Sequence, residues 1–135
     1  MADYTLSTTI HRPYEEAVQA VRAGLADEGF GVLTEIDLKA TLKTKLDVDI
    51  PPQVILGACR PQLAHQALSA DPSIAALLPC NVVVRALDDT TTIIDAFDPD
   101  TMISFAGPDA GETLRAVATD ARHRLTTVLA ALENN

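Results

Sequence analysis

The chain has 135 residues, of which 47% are hydrophobic and 21% are charged, and this composition predicts a single globular domain over residues 1–135. Its formal net charge is -9 at pH 7, because nineteen acidic residues outnumber ten basic ones. We therefore expect neither a nucleic acid nor an anionic membrane as a partner, since both bind basic surfaces. The first residues lack a secretory-signal pattern, and every apolar run is shorter than the roughly 20 residues of a membrane span, which together predict a cytoplasmic protein.

The N-terminal part of the chain predicts two strands, each followed by a helix. Residues 4–10 alternate between two faces and include β-branched side chains, which indicates a half-buried strand. Pro13 then suits the first turn of a helix, and apolar residues follow it at helical spacing. Residues 30–36 form a second apolar and partly alternating run, and Asp37 can cap a short helix that continues to residue 46.

The middle of the chain predicts a buried strand, a helical passage and a hairpin. Residues 54–58 are continuously apolar, which is typical of a central strand covered on both faces or nearly so. Pro61 can begin the next helix, and residues 74–78 can form about one further helical turn. Residues 80–87 and 91–97 alternate as the two arms of a hairpin do.

The C-terminal part predicts one short helical turn and one long helix. Asp98 and Pro99 form a pair that commonly starts a helical turn. Asp109 with Glu112 resembles a capping box at the start of the next helix. Residues 114–132 carry the most regular amphipathic stripe in the sequence, and they predict the second long helix of the domain.

The resulting order is β-α-β-(α)-β-α-β-β-α, which predicts an α+β fold. A hairpin requires antiparallel pairing. We therefore expect a two-layer sandwich in which a mixed, mainly antiparallel sheet of about five strands carries the two long helices on one face. The opposite face of the sheet would then lack cover in a monomer. A homodimer would supply that cover, and we expect sedimentation at micromolar concentration to show a dimer.

Four segments, in order along the chain, carry a resemblance to a known family. They read GFGVLTEIDLKATLK, VILGACRPQLAH, LLPCNVVV and DAFDPDTM, and together they extend from Gly29 to Met102. In these segments the chain resembles the family called Domain of Unknown Function 302. The resemblance implies a small α/β fold with helices against a sheet and a tendency to dimerise, and it implies no particular reaction.

The first candidate site consists of Cys59, His65 and Cys80. Cys59 ends a predicted strand, Cys80 begins another, and His65 lies about one and a half helical turns after Cys59. If the two strands are neighbours, two thiolates and one imidazole could bind a soft metal ion such as zinc and leave a fourth position for water or another ligand. The alternative is that both cysteines are buried as small hydrophobic residues.

The same residues also fit a thiol-dependent enzyme. Cys59 precedes Arg60 and Pro61 at a predicted helix start, where the helix dipole lowers the pKa of a thiol and makes the thiolate reactive. Cys59 would then be the nucleophile, and His65 would be its base. The alternative is that Cys59 is an inert thiol.

A second set of candidates consists of side chains that lie near strand ends. Glu35 and Asp37 point to one face and could bind a cation or act as acid and base, although Asp37 also suits a helix cap and both could be solvated. Asn81 could donate a hydrogen bond to a ligand or satisfy a strand end. Asp98 and Met102 follow a strand and are further candidates for ligand binding, with a helix cap as the alternative for Asp98.

Three functions are therefore consistent with the sequence. The first is a small cytoplasmic domain that binds or senses a ligand or metal, with its pocket near Cys59, His65 and Cys80. The second is a thiol-dependent enzyme, and the third is a structural or protein-interaction module without a small-molecule site. The glycine-rich nucleotide loops and the common hydrolase motifs do not occur.

Overall fold

The computed structural model describes residues 3–106 and 111–133, and the elements follow the predicted order. The strands are β1 (Thr5–Ile10), β2 (Gly31–Asp37), β3 (Gln53–Cys59), β4 (Cys80–Ala86) and β5 (Thr92–Phe97). The helices are α1 (Tyr14–Asp27), α2 (Leu38–Leu46), α3 (Pro61–Ala70), α4 (Pro99–Ala106) and α5 (Gly111–Glu133), with a 3-10 helix (Pro72–Leu77) between α3 and β4. The predicted cap at Asp109 lies outside the described residues.

The five strands form one sheet in the order β1-β5-β4-β3-β2, and each neighbouring pair is antiparallel. The predicted α+β sandwich is confirmed, and in the described part of the chain its sheet is antiparallel throughout rather than mixed. The strands β2 and β3 are neighbours in the sheet although α2 lies between them in sequence. The helix α2 is short, and Asp47, which follows its last residue, has a left-handed conformation with a φ of 54°. Such a residue turns the chain away from the helix axis.

The main core lies between one face of the sheet and the helices α1 and α5. The two-residue period of the strands places Leu56, Val84 and Ile94 on that face, and all three are fully buried. Helical spacing brings Leu25 of α1 and Leu125 of α5 into the same cluster. Each of these side chains stabilises the fold by about 1.5 to 3 kcal/mol through burial.

The helix α5 also belongs to a second apolar cluster at one end of the sheet. This cluster joins the first half of α5 to α3, α4 and the 3-10 helix. Its buried members are Leu63, Ala67, Ile74, Met102, Leu114, Val117 and Ala121. The helix α5 is 23 residues long. Its first half packs against the shorter helices, and its second half packs on the sheet.

The face of the sheet away from α1 and α5 carries both polar and apolar side chains. Arg85 Nε donates to Asp95 Oδ2 at 2.9 Å, and Ser7 Oγ donates to Asp95 Oδ1. Leu33 and Ile36 on the edge strand β2 are exposed. The homodimer that would cover this face stays a prediction. Within the described residues, no helix has both the length and the apolar character needed to cross a bilayer.

Candidate functional site

Both cysteines and a methionine come together at one end of the sheet. The strand β3 ends at Cys59, β4 begins at Cys80, and the antiparallel register places Ala58 opposite Cys80. The strand β5 ends at the same side of the sheet, because it runs antiparallel to β4. The helix α4 follows β5 directly and carries Met102 over the ends of these strands.

Cys59, Cys80 and Met102 line one small cavity, which we call the sulfur cavity. Its volume is about 30 Å³, and Arg60 also lines it. The rest of its wall is mainly apolar and includes Phe30, Leu63, Ala67, Leu78, Val117 and Ala121. A cavity of this size holds a single ion or about one or two water molecules, whereas pockets for drug-sized ligands begin near roughly 300 Å³.

Burial disfavours the thiolate form of both cysteines. Burial, and then the charge of the Cys59 thiolate, raise the pKa of Cys80 from 9.0 to about 11. Burial also raises the pKa of Cys59, although this residue is only half-buried. The sequence predicted that the start of α3 would lower the pKa of Cys59, but desolvation of the thiolate is the larger effect.

We expect ionisation of the Cys80 thiol to lower the free energy of unfolding at alkaline pH. The unfolded thiol ionises near pH 9.0, whereas the folded thiol keeps its proton up to about pH 11. The contribution of this thiol to stability is therefore fully present below pH 9 and is lost as the pH rises through 11. At about pH 10.5 the loss amounts to about 2 kcal/mol.

Urea unfolding of the wild type and of Cys80→Ala, at pH 8 and at pH 10.5, measures this loss. Between the two pH values, the free energy of unfolding should fall by about 2 kcal/mol more in the wild type than in the variant. The variant corrects for all other titrating groups, because only the thiol has been removed. An equal fall in both proteins would contradict the raised pKa of Cys80.

Arg60 closes one side of the sulfur cavity and has a polar atom without a partner. Its side chain lies over Gly29, where a Cβ would be 3.0 Å from Arg60 Nε. Arg60 Nη1 is 3.7 Å from Asp120 Oδ2, which also accepts a hydrogen bond from Arg124 Nε at 2.9 Å. Arg60 Nε is buried and has no hydrogen-bond partner among the described residues. An unsatisfied buried donor costs about 1 to 3 kcal/mol, so a bound group that accepted this N–H would be favoured here.

The structure does not bring His65 together with Cys59 and Cys80. His65 is exposed on α3 and does not line the sulfur cavity. Leu63 and Ala67 are the buried positions of α3, and a residue midway between them points to the opposite side of a helix with 3.6 residues per turn. Across residues 3–106 and 111–133, no group of three or more His, Cys, Asp or Glu side chains is arranged to hold a metal ion.

Glu35 and Asp37 line a different pocket, next to Tyr14. Glu35 accepts a hydrogen bond from Arg22 on α1. Asp37 Oδ1 accepts from the backbone N–H of Ala40 at 2.9 Å, so Asp37 caps α2 as the sequence allowed. Burial raises the pKa of Tyr14, and the charges of Asp37 and Glu35 raise it further. These carboxylates are thus engaged in local structure and lie outside the sulfur cavity.

Asp98 and Asn81 also lie outside the sulfur cavity. Asp98 is buried at the start of α4, and its Oδ1 accepts a hydrogen bond from Arg122 Nε on α5 at 3.2 Å. Asn81 is exposed, and it points to the opposite face of the sheet from its neighbour Cys80. Of the residues predicted only as ligand-binding positions, Met102 is the one that lines the cavity with the cysteines.

Sequence reasoning named Met102 but did not connect it with the cysteines, and it did not include Arg60 in the site. The sequence does indicate the position of Met102, because in a hairpin the end of the second arm lies beside the start of the first arm. A residue shortly after the predicted arm 91–97 must therefore lie near Cys80. Arg60 offered no comparable signal, since its position depends on packing over Gly29.

The fold and the cavity define a small α+β sandwich domain with a buried sulfur-lined site at one end of its sheet. The chain belongs to the family described as domain of unknown function DUF302, whose sequence model matches residues 6–132. It is similar to an uncharacterized conserved DUF302 protein from Bacillus stearothermophilus. The crystal structure of that protein matches with a TM-score of 0.85 and 28% sequence identity, covering 97% of this chain and 99% of the other. No curated protein matches the sequence.

Proposed function

We propose that the protein binds one thiophilic metal ion in the sulfur cavity, with the thiols of Cys59 and Cys80 as ligands. The observation that carries this proposal is that the two cysteines of the chain, which are distant in sequence, line the same small cavity. Deprotonated cysteine is a strong ligand for soft metal ions. Burial as small hydrophobic residues would not require the two thiols to share a cavity.

The dimensions of the cavity favour an ion over an organic ligand. A volume of about 30 Å³ is far too small for a typical metabolite. Cys59 is half-buried and Cys80 is 7% exposed, so an ion could enter beside Cys59 and become enclosed when it reaches Cys80.

The burial of the thiols argues against nucleophilic catalysis. A catalytic cysteine needs a lowered pKa, so that the thiolate is present at neutral pH. The pKa of both Cys59 and Cys80 is instead raised by burial. A metal ion supplies the positive charge that a buried thiolate lacks, and its binding releases the two thiol protons.

A cadmium titration of the reduced, metal-free protein tests the proposal. We expect one equivalent of Cd²⁺ to produce the ultraviolet charge-transfer absorption of cadmium–thiolate bonds. Cys59→Ser and Cys80→Ser should each lower the affinity by at least about 100-fold, because each variant loses one of the two thiolates. His65→Ala is the control and should bind cadmium as the wild type does, because His65 is exposed on α3.

Two results would count against the proposal. The first is the absence of thiolate charge transfer when the wild type is titrated with cadmium or with silver(I). The second is wild-type affinity in both cysteine variants after circular dichroism has shown that they are folded. Weaker binding in His65→Ala would instead favour the set of two cysteines and one histidine, which would require α3 to turn on binding.

A further inference from the structure

We infer that Met102 is a third sulfur ligand and that the sulfur cavity is built for a soft monovalent ion, copper(I) or silver(I), rather than for zinc. This inference rests on the proposed function, because it takes Cys59 and Cys80 as the first two ligands. It adds the identity of the third donor and the chemical class of the ion.

The position of Met102 is the first support for the inference. Met102 is 3% exposed and lines the cavity together with both cysteines. Methionine is flexible, and in apolar cores it ordinarily fills the gaps that other side chains leave. Here a cavity remains beside it, and two thiols form other parts of the wall. Met102 therefore lies at the wall of the same cavity as both cysteines, and we infer that its thioether acts as a ligand as well as a packing group.

The rest of the cavity wall decides between the two kinds of ion. Zinc takes thiolate, imidazole and carboxylate ligands and is almost always four-coordinate in structural sites. Among the residues that the structure describes, none that lines the cavity carries an imidazole or a carboxylate, and the guanidinium of Arg60 has no lone pair to offer a metal. Zinc would thus find two protein ligands, whereas copper(I) and silver(I) accept a low coordination number and bind both thiolate and thioether sulfur.

The packing of α4 gives Met102 a defined position. Asp98 precedes the first residue of α4, and its Oδ1 accepts from the backbone N–H of Asp100 at 3.0 Å. Arg122 Nε on α5 donates to the same oxygen at 3.2 Å. This hydrogen bond connects the start of α4 to α5, and Met102 lies about one helical turn after Asp98 in α4. A ligand held by such a helix needs little rearrangement when the ion binds.

Copper(I) affinity measured in competition with the chelator bicinchoninate tests the inference. Met102→Leu should weaken copper(I) binding by about 10-fold to 100-fold and leave zinc binding unchanged, since leucine has nearly the same volume but no sulfur. Leu63→Ile is the matched control, because it reshapes the wall of the same cavity without changing a sulfur atom. Its copper(I) affinity should stay within about threefold of the wild type.

A second measurement needs no variant for its readout. The chain contains two methionines, so protein labelled with carbon-13 at the methionine methyl groups gives two signals. Silver(I) should shift the signal of Met102, and Met102→Leu serves only to assign that signal.

X-ray absorption of the copper(I) complex should show three sulfur neighbours in the wild type and two in Met102→Leu, because one ligand has been removed.

The outcomes separate this inference from the proposed function. Equal copper(I) affinity in the wild type and Met102→Leu, with an unmoved Met102 methyl signal, would overturn the inference and leave the two-cysteine site intact. An equal loss of zinc and copper(I) affinity in Met102→Leu would overturn the assignment to a monovalent ion. If copper(I), silver(I) and cadmium all fail to bind the wild type, both the inference and the proposed function are wrong.

Discussion

Leu125→Ala is expected to lower the free energy of unfolding by about 3 to 5 kcal/mol, the largest effect that we predict for a single substitution. Leu125 is 1% exposed and belongs to the main core between α5 and the sheet. The substitution removes its buried apolar contacts and leaves a cavity. That cavity cannot close easily, because five paired strands form one of its walls. Urea unfolding followed by circular dichroism measures the loss.

Leu46→Ala is the matched control, since it removes the same atoms at the end of α2. Leu46 is 65% exposed, so its truncation should change the free energy of unfolding by less than about 0.5 kcal/mol. Similar losses in the two variants would contradict the burial of Leu125. Leu125 does not line the sulfur cavity, although Phe30 and Ala58 of the same core do. Folded Leu125→Ala should therefore keep the cadmium affinity of the wild type.

Gly57→Ala is expected to lower the free energy of unfolding by about 2 to 4 kcal/mol. Gly57 lies in β3, directly opposite Thr34 of β2. A Cβ at this position would overlap Thr34 Oγ1 and would come within 2.8 Å of Pro79 Cγ. The Thr34 side chain can rotate away, but the proline ring cannot, so the chain just before Cys80 must move. The same urea unfolding experiment measures this loss.

Gly31→Ala provides the control for the effect of adding a methyl group to a strand. The nearest atom to a Cβ at Gly31 is Cys59 O at 3.8 Å, which is an ordinary contact. We expect a change of less than about 1 kcal/mol, because alanine also restricts the unfolded chain. Equal free energies of unfolding in Gly57→Ala and Gly31→Ala would contradict the close packing of Thr34 and Pro79 around Gly57. Gly57→Ala should also weaken cadmium binding, since Pro79 immediately precedes the proposed ligand Cys80.

Periodicity predicted the hairpin arms 80–87 and 91–97 well, because side chains that alternate between core and surface leave a direct record in the sequence. The strand 54–58 was also predicted, but its continuous apolar run suggested cover on both faces. In the structure Leu56 is fully buried on the helix side, whereas Ile55 on the other side is only half-buried. Gly57 is buried because Thr34 and Pro79 pack closely around it, and this crowding depends on neighbouring strands rather than on local pattern.

The candidate site was predicted in part. The sequence placed Cys59 and Cys80 at the ends of two strands, and both residues line one cavity because those strands are neighbours. In the helix predicted to begin at Pro61, the apolar residues Leu63 and Ala67 indicate the inward face. His65 lies midway between them and therefore faces outward, since a helix turns about 100° per residue. The helical phase thus predicts the position of His65 better than the chemical pattern of two cysteines and a histidine does.

The order of the elements, their apolar faces and the cap at Asp37 could be predicted from the sequence, because each depends on residues within one or two turns of chain. The shared cavity of Cys59, Cys80 and Met102, and the raised pKa of both thiols, follow from tertiary packing. Desolvation depends on which groups cover a side chain from all directions. In this protein that cover comes from α3, α4 and α5. The strands β4 and β5 separate α3 from α4 in sequence, and these helices are brought together only when the second apolar cluster packs over the end of the sheet.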